Sequence, residues 1–275
     1  MKLSKGRCNL KLLNVDKNNK TVKGQKHGYI TGILYLAPAS ESEVINVCKY
    51  STPGCRKGCL YTSGHGAYQR TKDSRIKKTV WFHLRKESFI EQLVSDISAL
   101  KRKAKRGNFI PVVRLNGTSD IEWEKIKFSI SNPDNKVIIH NGSLSRNIFD
   151  WFSDIQFYDY TKNPNRYERK LPSNYHLTFS RDETNRTSAG KLLAQNYNVA
   201  VVLDKIPTDE DFPYDEILGS EPEQIVNGDL HDLRFTDLPG SLVLLKAKGK
   251  ARKDTSGFVV ETKLLEYASQ PNLKF

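Results

Sequence analysis

Cysteine is scarce: four in 275 residues, far too few to hold a chain of this size together by disulfides. Long apolar runs are missing as well. The longest, roughly from Tyr29 to Ala39, is too short and too interrupted to span a bilayer. The first residues, Met-Lys-Leu-Ser-Lys-Gly-Arg, have no apolar core, so no secretory signal is expected. No glycine-rich phosphate loop of the Walker or dinucleotide type occurs, and no Gly-x-Ser-x-Gly elbow. Internal repeats and low-complexity segments are also lacking. Disorder is excluded from the other side, because aromatic residues make up 10% of the chain. The expectation is an intracellular globular protein. Its length lets it bury about 70–75% of the surface that the unfolded chain exposes.

Acidic residues are outnumbered. Lys and Arg total 44 against 31 Asp and Glu, a formal charge of +13. The surplus is uneven. Twelve basic residues lie between Arg70 and Arg106, and Lys246, Lys248, Lys250, Arg252 and Lys253 form a second cluster with no acid inside it. The stretch Asp209–Glu223 is the reverse, with seven carboxylates, and reads as an acidic surface loop within 207–223. Clustered positive charge suits phosphate-backbone contact. The expected nucleic-acid-binding residues are Arg70, Lys72, Arg75, Lys77, Lys78, Lys246, Lys248 and Lys250. An ordinary solvated basic face is the competing reading. A membrane is not expected, since no basic amphipathic helix has a broad aromatic face.

Short apolar, β-branched runs alternate with helical or loop stretches. Strands are expected at Tyr29–Leu36, Phe109–Leu115, Lys136–His140, Ile155–Tyr160, Tyr175–Phe179, Asn198–Leu203, Gln224–Val226 and Ser241–Leu245. Near-continuous runs such as Val199–Leu203 suit strands buried on both faces of a parallel sheet. The clearest helix spans Phe89–Arg106, with Ser88 and Glu91 reading as a capping box and Gly107 as the stop. Shorter helices are expected at Arg146–Ser153 and Asn185–Tyr197. The alternation predicts one α/β domain over residues 1–275, with mostly parallel strands in a TIM-barrel-like or incomplete barrel. The rival is an open doubly wound sheet.

Three cysteines fall close together in Val47-Cys48-Lys49-Tyr50-Ser51-Thr52-Pro53-Gly54-Cys55-Arg56-Lys57-Gly58-Cys59, within a cysteine loop at 48–66. Gly54 and Gly58 each precede a cysteine, so the backbone can wrap a bulky group and aim amides at sulfur. Three readings compete. The first is three free thiols. The second is zinc, completed by His65 or by the distant Cys8. The third, preferred, is a [4Fe-4S] cluster on Cys48, Cys55 and Cys59 with one iron left open. The C-x3-C step resembles that of radical S-adenosylmethionine enzymes, but their third cysteine position is Thr62 here. Cys48, placed before the pair, is the expected substitute, and S-adenosylmethionine is a candidate cofactor.

Sites in α/β folds gather at strand C-terminal ends. There the sequence offers Asn116, Asp120, Asp159, Lys162, Ser180 and Asp229. Asp120, Asp159 and Lys162 are the expected catalytic residues, while Asn116, Ser180 and Asp229 are expected to bind cofactor. Lys162 and Arg166 are placed to hold a phosphate or carboxylate, with an ion pair as the plainer reading. Tyr158, Tyr160 and Tyr175 are candidates for base stacking or, more plainly, core residues. His176, inside a strand, reads as a structural histidine.

Several segments taken together are similar to the bacteriophage gene product 88 family: Asn9-Leu10-Lys11-Leu12, Leu36-Ala37-Pro38-Ala39, Pro53 to Leu60, Arg114 to Ile121, Phe157 to Lys162, His176 to Ser180, Asn227-Gly228-Asp229 and Lys246-Ala247-Lys248-Gly249. The resemblance runs in order over nearly the whole chain. It implies a phage-encoded protein of the infected host's cytoplasm. The cysteine region is similar to that of radical-enzyme barrels, which implies a cluster rather than a substrate. The expected function is an iron–sulfur protein with radical or Lewis-acid chemistry on nucleic acid or a nucleotide. The alternative is a non-enzymatic phage protein that binds nucleic acid or a host protein and is stapled by zinc or a cluster.

Overall fold

The computed structural model describes residues 10–15, 19–131, 136–208, 212–263 and 265. Strand β1 (Leu13–Val15) and helix α1 (Asn19–Gln25) precede β2 (Tyr29–Leu34). Helices α2 (Pro53–Lys57), α3 (Gln69–Leu84) and α4 (Lys86–Gly107) then lead to β3 (Ile110–Arg114). A hairpin of β4 (Phe128–Ser131) and β5 (Lys136–Ile139), with α5 (Ile148–Trp151), separates β3 from β6 (Gln156–Thr161). Then come β7 (Tyr175–Ser180), α6 (Arg186–Ala194), β8 (Val199–Leu203), α7 (Tyr214–Leu218), β9 (Gln224–Asn227), β10 (Ser241–Lys246) and β11 (Val259–Val260).

One nine-stranded sheet organises the chain, so the fold is α/β with mostly parallel strands. Strands β2, β3, β6, β7, β8, β10 and β9 lie side by side in that order, each neighbouring pair parallel. β1 is an antiparallel addition to β2, and β11 a parallel addition to β8. β7 holds β8 only at Val199 and Ala200; β11 takes over at Val202 and Leu203. Since β10 occupies the other edge of β8 throughout, β11 wedges the sheet open where β7 ends. Lys162, Ser180 and Arg181 line that opening.

Helices α3 to α7 pack on one face. Val113, Leu115, Phe157, Tyr175 and Leu177 meet α3, α4 and α5, while Phe179, Val199, Val201, Leu242 and Leu244 meet α6 and α7. The alternate positions Val112 and Tyr158 face the other way and are covered by Leu233 and Phe235, from the β9–β10 connection. α4 carries much of the core. Phe89, Ile90, Leu93 and Ile97 are fully buried, each stabilising by about 1.5–3 kcal/mol. Gly32 of β2 admits this helix, because a Cβ there would sit 3.0 Å from Leu100.

Several expectations need correcting. The run Lys136–His140 forms a strand, but in the separate β4–β5 hairpin, where the Val137 amide donates to Glu91 of α4 at 3.0 Å. α4 starts before Ser88, whose hydroxyl instead accepts from the Trp81 indole at 2.8 Å, so no capping box forms. A buried indole N–H needs such a partner. The helix runs through Gly107, and Asn108 takes the left-handed conformation (φ 55°) that ends it. The acidic stretch holds helix α7, which buries Ile217 and Leu218; its residues 209–211 lie outside the described residues.

Candidate functional site

The cysteine loop is fastened at several points. Thr52 caps α2, its hydroxyl accepting from the Cys55 amide at 3.2 Å, and Pro53 occupies the first helical position, where no amide hydrogen is needed. Gly58 closes the turn, its N–H donating to the Gly54 carbonyl at 2.8 Å. Glu183, just beyond β7, grips the helix start. It accepts from the Gly54 amide and from the Thr52 hydroxyl, both at 2.7 Å. Gly54 is required at this contact, because a Cβ would lie 2.7 Å from the Glu183 carboxylate. Cys55 packs against the small cluster of Ala247, Ala251, Phe258 and Val259.

Cys48, Cys55 and Cys59 are free and half-buried. Cys48 reaches the Thr118 carbonyl past the end of β3, at 3.6 Å. Burial pushes its thiol up to about 12, with the Cys59 and Cys55 sulfurs and Asp120 raising it further. Burial pushes Cys55 up to about 11, while the nearby Lys162 ammonium opposes the shift. Cys59 is raised by burial too, against the pull of the Tyr61 amide and Arg75. Lys162 favours the thiolate forms of Cys55 and Cys59, and Arg75 that of Cys59. Among the described residues, no three His, Cys, Asp or Glu side chains are grouped to hold a metal ion. Cys8 lies outside the described residues, and His65 is exposed against Tyr68.

Lys162 is tied down beside the cysteines. Its ammonium donates to the Ser180 hydroxyl at 3.0 Å and to the Ser180 and Arg181 carbonyls at 3.2 Å, and it pairs with Asp182 at 3.7 Å. Ser180 thus belongs to the same corner. Asp120 is one step away: its amide donates to the Val47 carbonyl, and its carboxylate accepts from the Lys162 amide at 2.9 Å. Burial raises the Asp120 carboxyl, although Lys162 and Arg166 work against it.

Asp159 and Asn116 sit deeper, in a closed network. Asp159 is fully buried and accepts from the Asn116 amide (2.6 Å) and the Tyr175 hydroxyl (3.0 Å). Burial pushes its carboxyl up to about 7. The Asn116 side-chain oxygen accepts from Ser119, the Ile121 amide and the Trp123 indole. Arg166 is enclosed as well, bound to Asp120, Glu124 and the Tyr175 hydroxyl; the phosphate clamp expected of it is already filled by carboxylates. Tyr158 and Tyr175 are buried and pack as core residues. Tyr160 lies under the Arg114 guanidinium, at 4.7 Å. His176 is held neutral, pushed down to about 4 by burial. Asp229 is a brace, pairing with Lys20 at 2.6 Å and Lys248 at 2.9 Å.

The two basic clusters meet. The turn Leu60–Thr62 touches both the turn Gly64–Ala67 that leads into α3 and the turn Gly249–Lys253. Arg70 is exposed at the start of α3, Lys72 lies over Tyr61, Lys246 ends β10, and Lys248 and Lys250 follow it. Lys77 is exposed further along α3. Lys78 and Arg75 leave this surface: Lys78 is 4% exposed and donates to the Leu12 carbonyl, and Arg75 is buried beneath Tyr35 and Tyr61. Sequence reasoning missed Glu183, although its place just after a strand's C-terminal end marks it.

No helix among the described residues is long and apolar enough to cross a membrane. A family model described as Gene product 88 matches residues 10–262. No curated protein and no solved structure matches the chain.

Proposed function

We propose, for a chain that belongs to the Gene product 88 family, that it is a phage iron–sulfur protein acting in the cytoplasm of the infected host. Cys48, Cys55 and Cys59 would hold a four-iron cluster. The observation that carries this reading is three half-buried thiols within twelve residues of sequence, beside Lys162 and Arg75, at the C-terminal end of a parallel sheet. That is the end where α/β folds build sites. The donor set suits a cluster better than zinc. A zinc ion needs four ligands converging at about 2.0–2.3 Å, whereas a cluster spreads its thiolates over separate irons. Such a cluster, held by three thiolates, would leave one iron open for a small ligand such as S-adenosylmethionine.

This chain's own residues have defined parts in that reading. Lys162, locked by Ser180 and Arg181, keeps a positive charge beside Cys55 and offsets the charge of bound thiolates. Asp120, next to Cys48, is the carboxylate best placed to hold or move a proton. Asp159 and Asn116 position the Asp120 loop from below. Mostly parallel strands with helices α3 to α7 on one face favour an incomplete barrel over a doubly wound sheet, which carries helices on both faces. Nucleic acid or a nucleotide is the proposed substrate, approaching over Arg70, Lys72, Lys248 and Lys250.

The test is single replacement of Cys48, Cys55 and Cys59 by Ser after anaerobic purification. Each variant is expected to lose most of the brown absorbance and bound iron of the parent. Full iron in all three variants would sink the ligand assignment. Reductive cleavage of S-adenosylmethionine by the parent would identify the chemistry as radical.

A further inference from the structure

Among the described residues, three enclosed arginines have a carboxylate close by and a fourth has none. Arg114 pairs with Asp232, Arg166 with Asp120 and Glu124, and Arg234 with Asp237. A guanidinium removed from water needs such partners, because its charge is costly to bury alone. Arg75 has none. It is 8% exposed, and its Nε and Nη1 are buried without a hydrogen-bond acceptor. Its surroundings are the Tyr35 ring at 4.8 Å, the Tyr61 ring at 5.5 Å, and Cys59. Among the described residues no carboxylate pairs with it.

Two aromatic faces stabilise a cation but satisfy no N–H group. What is missing is an acceptor in the guanidinium plane. A carboxylate or a phosphate fits that need with two parallel hydrogen bonds. The neighbouring chain supports delivery from outside. Tyr61 is itself 4% exposed but is flanked by the exposed Leu60, Gly64 and His65, and Lys72 stands over the same ring at 5.5 Å.

We propose that Arg75 is the receptor for the oxyanion group, carboxylate or phosphate, of a small ligand that binds between Tyr35 and Tyr61 beside the cysteine loop. The ligand supplies the in-plane acceptor that the fold withholds. The proposal stands on the surroundings of Arg75 and does not require a cluster, so the two readings fail separately.

The experiment is thermal unfolding of the full chain in rising inorganic phosphate or sodium acetate, against sodium chloride at equal ionic strength. The parent is expected to gain about 3–6 °C at roughly ten times the dissociation constant of the effective anion. A response to phosphate alone assigns a phosphate ligand, and one to acetate alone a carboxylate ligand. Arg75→Gln should abolish the gain while melting no lower than the parent in chloride, since it removes an unpaired buried charge. Arg75→Lys should keep a weaker gain, and Lys101→Gln, on the exposed end of α4, the full gain. If Arg75→Gln does not fold, the parent and Arg75→Lys responses decide. A parent that responds to neither anion beyond chloride overturns the proposal, as does an undiminished gain in Arg75→Gln.

Discussion

Replacing Glu183 by Ala isolates the fastening of the cysteine loop. The carboxylate accepts from the Gly54 amide and the Thr52 hydroxyl, both at 2.7 Å. Hydrogen bonds to a charged group contribute about 1.5–3 kcal/mol each. Glu183 is half-buried, so water recovers part of that, and a net loss of roughly 1.5–3 kcal/mol is expected for the pair. The loss should be local. Glu183 touches α2, whereas the core of α4 and the sheet lies elsewhere. Native-state amide exchange reads this directly, because local opening is a population. The amides of Cys55 to Cys59 should exchange about 10–100 times faster in Glu183→Ala, with those of β3 and β6 unchanged. Glu183→Gln keeps one acceptor oxygen and should fall between. Unchanged exchange in α2, or equal acceleration in β3 and α2, would refute the anchoring role.

Asp159 makes stability depend on pH. Its carboxyl is pushed up to about 7 in the folded chain, against about 3.9 unfolded. The folded state thus holds a proton that the unfolded state has lost. The contribution is fully present below about pH 4 and is lost as pH rises to 7, by up to ~4 kcal/mol. Denaturant melts of parent and Asp159→Asn should show the parent's relative stability falling across that window; a flat or rising difference contradicts it. His176, held near 4, has the opposite dependence and cancels in the comparison. Gly54→Ala should lower iron retention and leave the sheet's amide protection intact, which metal analysis and exchange together check. Removing Arg70, Lys248 or Lys250 should each reduce the salt slope of nucleic-acid binding by about 1, whereas Lys78→Gln should leave the slope alone because Lys78 faces Leu12.

Much of the sheet was readable because its strands are apolar runs buried on both faces, as in Val199–Leu203. α4 was readable from its apolar stripe. α3 was not, because its buried face carries Arg75, Lys78 and Thr79, whose polar groups are aimed at Leu12, Ala37 and two tyrosines. Periodicity of apolar residues has no access to such a face. The closeness of Cys48, Cys55 and Cys59 along the chain is plain in the sequence. Their partners are not, since Lys162 and Glu183 reach the loop from more than 100 residues away along the chain. Arg166 shows the opposite error: its neighbours in sequence suggested an anion clamp, but Glu124 and Asp120 fold onto it first.

Iron and acid-labile sulfide analysis of the anaerobically purified chain tests the central claim. About four irons and four sulfides per chain are expected, falling together when Cys48, Cys55 or Cys59 is replaced. One zinc per chain with no iron or sulfide would contradict it.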